Sequence, residues 1–229
     1  GKEALGQIHQ PVHVTLLQPV YREVERMQQR TPANPHGENT LVTKNRALQD
    51  FGSLNPNISY DVIVIDDGCP NGSGQVAKRI MDLYGIPGTV LFLEDALAEH
   101  SVLVPPGLIR SKDSVKGGAV NHGIRWSLEN TQLGARSHVI IDNDADLSIH
   151  PWQIPLLVEP IVNGRASMVA GSRREEASVR YIGPKRDKRG SLFINVWQAL
   201  LPDLVDVVSD TNRGFEAFDA RSAHAILPH

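Results

Sequence analysis

The sequence predicts an α/β fold, a mostly parallel central sheet flanked by helices. Three observations carry that expectation. Short runs of β-branched and aliphatic residues recur, each closing on a polar or acidic turn. Segments with apolar residues at helical spacing lie between them. Strands that alternate with helices need crossover connections, and crossovers set successive strands parallel.

In chain order, Val12–Leu17 reads as the first strand, stopped at Pro19. Leu48 and Phe51 close a weak helical pattern that follows Asn39. Val62–Ile65 is four consecutive β-branched residues, as expected of a strand covered on both faces, and it ends at Asp66-Asp67-Gly68. Val76, Ile80 and Leu83 share a helix face that Gly85 is placed to terminate. Val90–Leu93 is the third run, ending at Glu94-Asp95. Ala119, Val120, Ile124, Ser127 and Leu128 form a stripe on a helix opened by Lys116-Gly117-Gly118. Val139–Ile141 ends at Asp142. Ile154, Val158 and Ile161 fit a helix opened by Pro151 and kinked or shortened by Pro160. Met168–Ala170 is the fifth run, and Phe193, Val196, Trp197 and Leu200 make a last helical stripe. Thr31–Asn39 and Val104–Ser114 read as long loops, which in such folds border the site. Neither a linker nor a repeat interrupts the pattern, so residues 1–229 read as a single domain.

Composition narrows the function. With 229 residues, 41% of them apolar and 21% charged, the chain can bury a substantial core. A net charge of -3 argues against a dedicated nucleic-acid binder. No run approaches the roughly 20 apolar residues of a membrane-spanning helix, and the start shows no secretory-signal pattern. A cytoplasmic protein is the expectation. Cys69 is the single cysteine. No histidine stands at an indicative spacing from it, so a packed thiol is expected rather than a nucleophile.

Open parallel sheets bind ligands beyond the carboxyl ends of their strands. There the sequence places Glu23, Asp66, Asp67, Asp142, Asp144 and Asp146. Crowded carboxylates repel unless a cation or donor groups neutralise them, and hard oxygen ligands suit Mg²⁺ or Mn²⁺ with substrate phosphates completing the shell. Asp142-Asn143-Asp144 and Asp144-Ala145-Asp146 both have the required spacing, and either also suits a plain polar turn. Asp66-Asp67-Gly68 is open in the same way: a turn that accepts backbone N–H groups, or a contact to a base or ribose. Between Arg173 and Arg189, seven Lys/Arg face three acidic residues, a net of +4. That suits an anionic ligand or a solvated loop.

Six stretches, in order, match one family: VTLLQPVYRE at 14–23, VIVIDDGCPN at 62–71, KGGAVNHG at 116–123, VIIDNDADLSIHP at 139–151, AGSR at 170–173 and DTNRGFEAF at 210–218. The chain resembles the family 2 glycosyltransferases, near the polyprenyl-phosphate mannose and glucose synthases. The resemblance implies a GT-A fold, Rossmann-like, with a nucleotide-binding part over about 12–147 and an acceptor-binding part over about 148–229. It implies a metal-dependent, inverting transfer from a nucleoside-diphosphate sugar, UDP- or GDP-linked. The acceptor is left unidentified: a small molecule, a glycan, or a polyprenyl phosphate, which would bring peripheral membrane association. No nucleic acid is implied. Pro19 and Glu23 would border the nucleotide pocket, with Asp67, and Asp66 beside it, contacting the base. Lys116 and Gly117 would line the nucleotide side. Asp144 and Asp146 would hold Mg²⁺ or Mn²⁺ against the diphosphate, a register favoured by Pro151 five residues beyond. Arg173 and Arg189 would meet phosphates, and Asp210 would be either the general base or a cap of the acceptor loop.

The chain departs from the family pattern in Arg22 (commonly Asn), Ser148 (often Gln), Arg213 and Glu216. These departures keep a non-catalytic binding protein of the same fold as the rival. A dinucleotide oxidoreductase is disfavoured because no glycine follows the first strand until Gly37. A nucleotidylyltransferase would need a glycine-rich, arginine-containing loop there, which Pro19-Val20-Tyr21-Arg22-Glu23 is not.

Overall fold

The computed structural model describes residues 1–176, 178, 195, 196, 199, 200, 209, 210 and 214–227. Four parallel strands, β1 (Val12–Val20), β2 (Ile58–Asp66), β3 (Gly88–Phe92) and β4 (Ser137–Asn143), form most of one sheet with β5 (Met168–Ala170) and β6 (Phe215–Asp219). The order is β3-β2-β1-β4-β6-β5. β6 runs antiparallel to both β4 and β5. The mostly parallel sheet expected from the sequence is present, with β6 as the strand it does not announce.

The aliphatic strands are explained by two cores. Val12, Val14, Leu16, Val62, Val64, Val139 and Ile141 face one cluster, while Leu17, Ile63, Ile65 and Ile140 face another. Successive side chains alternate across a strand, so only a run apolar at every position serves both faces. The first core is covered by α1 (Lys2–Gly6), α3 (Thr40–Leu54), α4 (Ser73–Tyr84) and α7 (Ile154–Val162), through Leu5, Leu48, Phe51, Val76, Met81, Leu157 and Val158. The second lies under α5 (Leu93–Ala98), α6 (Gly117–Asn130) and α8 (Ala220–Ile226), through Leu93, Ala119, Ile124 and Ala223. A short α2 (Val24–Met27) follows β1. Gly85 ends α4 in the left-handed conformation, as its position predicts.

Several boundaries differ from expectation. β1 continues through Pro19 to Val20, because beyond Leu17 it pairs with β2 alone, and a residue without an N–H is tolerated there. Leu93 opens α5 instead of closing β3, which puts Glu94 and Asp95 in a helical first turn. Asp142 and Asn143 belong to β4. α7 accommodates Pro160 close to its end and stops two residues later. Phe193 and Trp197 of the last expected helix lie outside the described residues. No described helix is long and apolar enough to cross a membrane.

Candidate functional site

Where β1, β2 and β4 end, a cavity of about 250 Å³ opens. Its lining includes Pro19, Glu23, Arg26, Asp67, Lys116, Asp144 and Asp146. Residues spread over more than a hundred positions thus meet because parallel strands deliver their carboxyl ends to one rim.

The two neighbouring aspartates after β2 separate in role. Asp66 is buried and accepts backbone N–H bonds from Cys69 at 2.7 Å and Gly74 at 2.5 Å, which ties the turn to the start of α4. Burial pushes its carboxyl up, against those bonds. It is not among the residues that line the cavity, and its two backbone bonds give it the turn-holding role that the sequence left open. Asp67 does line the cavity. Its Oδ2 accepts the Lys116 backbone N–H at 3.0 Å, and its buried Oδ1 has no protein partner.

Lys116 sits at the N-cap of α6 with φ +69°, a strained value for a non-glycine residue. Its Nζ bridges Asp142 Oδ2 at 3.1 Å and Asp144 Oδ1 at 2.7 Å. Burial opposes its charge, but the two carboxylates outweigh that and hold the ammonium above its ordinary value. Gly117 opens α6 and does not line the cavity. The Asp144 N–H donates to the Gly214 carbonyl at 3.1 Å. A Cβ at Gly214 would collide with Lys116 Nζ and the Asp144 carboxylate, so the β6 approach is shaped around that ion pair.

Asp146 faces the cavity from the other side. Burial works against its ionisation, but the Ser148 hydroxyl and N–H, with Arg26 and Lys44, hold the carboxyl below its usual range. Arg26 reaches Glu23 at 3.3 Å and Asp146 at 3.8 Å. Glu23 is pushed up by burial and by Asp146 and Glu38, against Arg26. Arg22, where the family pattern has Asn, adopts φ +59°, a region asparagine enters more readily. Its N–H contacts Cys69 Sγ at 3.2 Å, which places the half-buried thiol within the turn.

Two residues gain importance that the linear pattern does not give them. Lys44 of α3 is 2% exposed beneath the acidic loop, donating to Gln18 Oε1 at 3.0 Å and to the Asp144 carbonyl. Burial drives its amine down to about 7, against the pull of Asp146, Asp144, Asp142 and Glu38. Glu216 of β6 pairs in register with Asp142, and burial, then Asp142, push its carboxyl up to about 7. No motif marks Lys44. Glu216 is visible in sequence only as a departure from a pattern.

The expected phosphate contact and general base come together elsewhere. Asp210 is 1% exposed and held by Arg173 in a fork, Nε to Oδ2 at 2.7 Å and Nη2 to Oδ1 at 2.9 Å. Neither side chain lines the cavity. A carboxylate with both oxygens on a guanidinium is a poor proton acceptor, an arrangement that favours the cap reading of Asp210, between the end of β5 and the approach to β6. Arg189 lies outside the described residues, as do Arg180, Lys185, Arg186, Lys188 and Arg213.

The donor set is compatible with a hard divalent cation. Asp144 and Asp146 offer carboxylate oxygens to the cavity, and Lys116 already marks the Asp142–Asp144 pair as a position that holds positive charge. Asp142 Oδ1 is buried without a partner. Among the described residues no three His, Cys, Asp or Glu side chains converge as a metal cage. A Mg²⁺ or Mn²⁺ ion here would therefore be held by few protein ligands and completed by phosphates.

A curated undecaprenyl-phosphate mannosyltransferase from Micrococcus luteus is 31% identical to the chain over 170 residues, 72% of its length. The chain belongs to the family 2 glycosyltransferases of GT-A fold. It spans 57% of that relative's length. No family model matches this glycosyltransferase chain. Its fold is also that of a mannosyltransferase from Pyrobaculum calidifontis solved with GDP-Man and Mn²⁺, at TM-score 0.53 and 16% identity, covering 96% of the chain and 48% of that structure. A mycobacterial protein structure matches at TM-score 0.51 and 16% identity, over 96% of the chain and 57% of its own.

Proposed function

We propose that this glycosyltransferase domain transfers a sugar, with inversion, from a UDP- or GDP-linked donor held in the cavity at the ends of β1, β2 and β4. The single observation that carries the reading is the convergence of Pro19, Glu23, Asp67, Lys116, Asp144 and Asp146 on one concave rim. Asp67 lines the cavity, and its carboxylate is suited to accept a hydrogen bond from a base N–H. Lys116 supplies a point charge to the diphosphate. Asp144 and Asp146 would hold Mg²⁺ or Mn²⁺, whose role when bound is to neutralise charge on the departing diphosphate. The region over about 148–229 is the acceptor side in this reading, and with Asp210 clamped by Arg173 it contributes no base from that position. The relative's name supports a polyprenyl-phosphate acceptor, whose phosphate oxygen is already anionic and needs no base.

Transfer and donor hydrolysis, followed as nucleoside diphosphate release with Mn²⁺ present, test the proposal. Asp144→Ala and Asp146→Ala each abolish release while leaving the circular dichroism spectrum intact. Full activity in either variant, or in excess chelator, rejects the metal role. Donor binding with no release under any condition identifies a binding protein instead.

A further inference from the structure

We infer that Lys116 is the resident cation of the Asp142–Asp144 pair in the ligand-free protein, and that it must be drawn away before a divalent ion binds, so that metal and nucleoside diphosphate enter together. The inference rests on the donor-site reading above and adds that Lys116 occupies the metal's side of Asp144 until a diphosphate draws it off.

The geometry makes the two cations competitors. Lys116 Nζ lies 2.7 Å from Asp144 Oδ1, an oxygen that a metal held by Asp144 would use, and 3.1 Å from Asp142 Oδ2, which steadies the ammonium there. Gly214 closes the space behind the pair so tightly that even a methyl group would overlap both partners. An ammonium and a divalent ion cannot share such a position without strong repulsion.

The same lysine is built to leave. Its backbone is anchored, with the N–H on Asp67 Oδ2 at 3.0 Å, while its side chain is 40% exposed and lines the cavity. The flexible stem can therefore swing without moving α6. A diphosphate in the cavity offers the ammonium an alternative set of anionic oxygens, which frees the carboxylates for the metal. A ligand that removes a competitor raises the other ligand's affinity, and by linkage the effect is reciprocal. Without the diphosphate, Lys116 guards the acidic rim against adventitious divalent ions.

The test measures Mn²⁺ binding through loss of the free-ion electron paramagnetic resonance signal, with protein alone and with saturating GDP or UDP. Wild type binds Mn²⁺ weakly alone and about tenfold or more tightly with the nucleotide it recognises. Lys116→Met binds Mn²⁺ alone about tenfold or more tightly than wild type, and its nucleotide enhancement is smaller than that of wild type by the same factor. Equal or weaker Mn²⁺ binding by Lys116→Met overturns the inference. Should that variant fail to fold, Lys116→Gln is measured in the same way: tighter Mn²⁺ binding than wild type without nucleotide supports the inference, and equal or weaker binding overturns it. If neither GDP nor UDP binds, the donor-site reading fails separately, and the Mn²⁺ affinity of Lys116→Met without nucleotide still decides the lysine's role.

Discussion

The backbone N–H of Lys116 donates to Asp67 Oδ2 at 3.0 Å, tying the residue that opens α6 to the turn that closes β2. A left-handed lysine is held in place by one aspartate, whose other oxygen is buried without a protein partner.

Asp66 and Asp67 should therefore fail differently. Asp66→Ala removes the acceptor of two backbone N–H groups and should lower stability by about 1–3 kcal/mol, read by urea denaturation. Asp67→Ala removes the acceptor of one backbone N–H and should lower stability less than Asp66→Ala, but it should weaken nucleotide binding about tenfold or more by calorimetry, a loss of about 1.4 kcal/mol. Reversed phenotypes would contradict the assignment.

Asp210 is expected to behave as a structural clamp. Asp210→Ala removes the fork to Arg173 and should cost about 1–3 kcal/mol, seen as a fall in melting temperature. A variant of unchanged stability that loses only kcat would restore the general-base role.

Stability on the acid side should depend on His138. This buried imidazole contacts Thr15 Oγ1 at 2.9 Å and Ser127 Oγ at 3.2 Å, and burial drives it down to about 4. Between about pH 6.5 and pH 4 the unfolded chain binds a proton the folded chain refuses, so stability falls as pH falls through that window. The full effect is about 3 kcal/mol and is absent above pH 7. His138→Gln should shrink the stability difference between pH 7.5 and pH 4.5; an unchanged difference in urea melts would refute the assignment.

Gly214→Ala tests the shape of the rim. The new methyl group meets the far ends of the Lys116 and Asp144 side chains, which can shift, so it displaces the ion pair with little cost to the fold. Nucleotide and Mn²⁺ binding should both fall, measured by calorimetry, while β6 remains paired by hydrogen exchange. Wild-type binding in this variant would show that the contact is loose.

Most of the parallel half was legible because Val-Ile-Val-Ile and its counterparts have no other comfortable place than a strand buried on both faces. The acidic rim followed from the rule that strands end in ligand-bearing turns. What stayed hidden depends on spatial neighbours. Pro19 ends a strand in isolation, but here it sits where β1 has a single partner. Asp66 and Asp67 look equivalent until one turns inward to α4. Lys44 is unremarked among the lysines until α3 places it under Asp144. β6 carries Glu216 and Asp219 at its polar positions, so its short run did not read as a strand.

The reversed direction of β6 sets an assembly order. Its first residues, not its last, stand against the end of β4, so the backbone that seats Asp144 comes from a segment synthesised after every parallel strand. Both cores also take residues from β6 or the helix after it, so the acidic rim and the hydrophobic framework are completed by the same late stretch of chain.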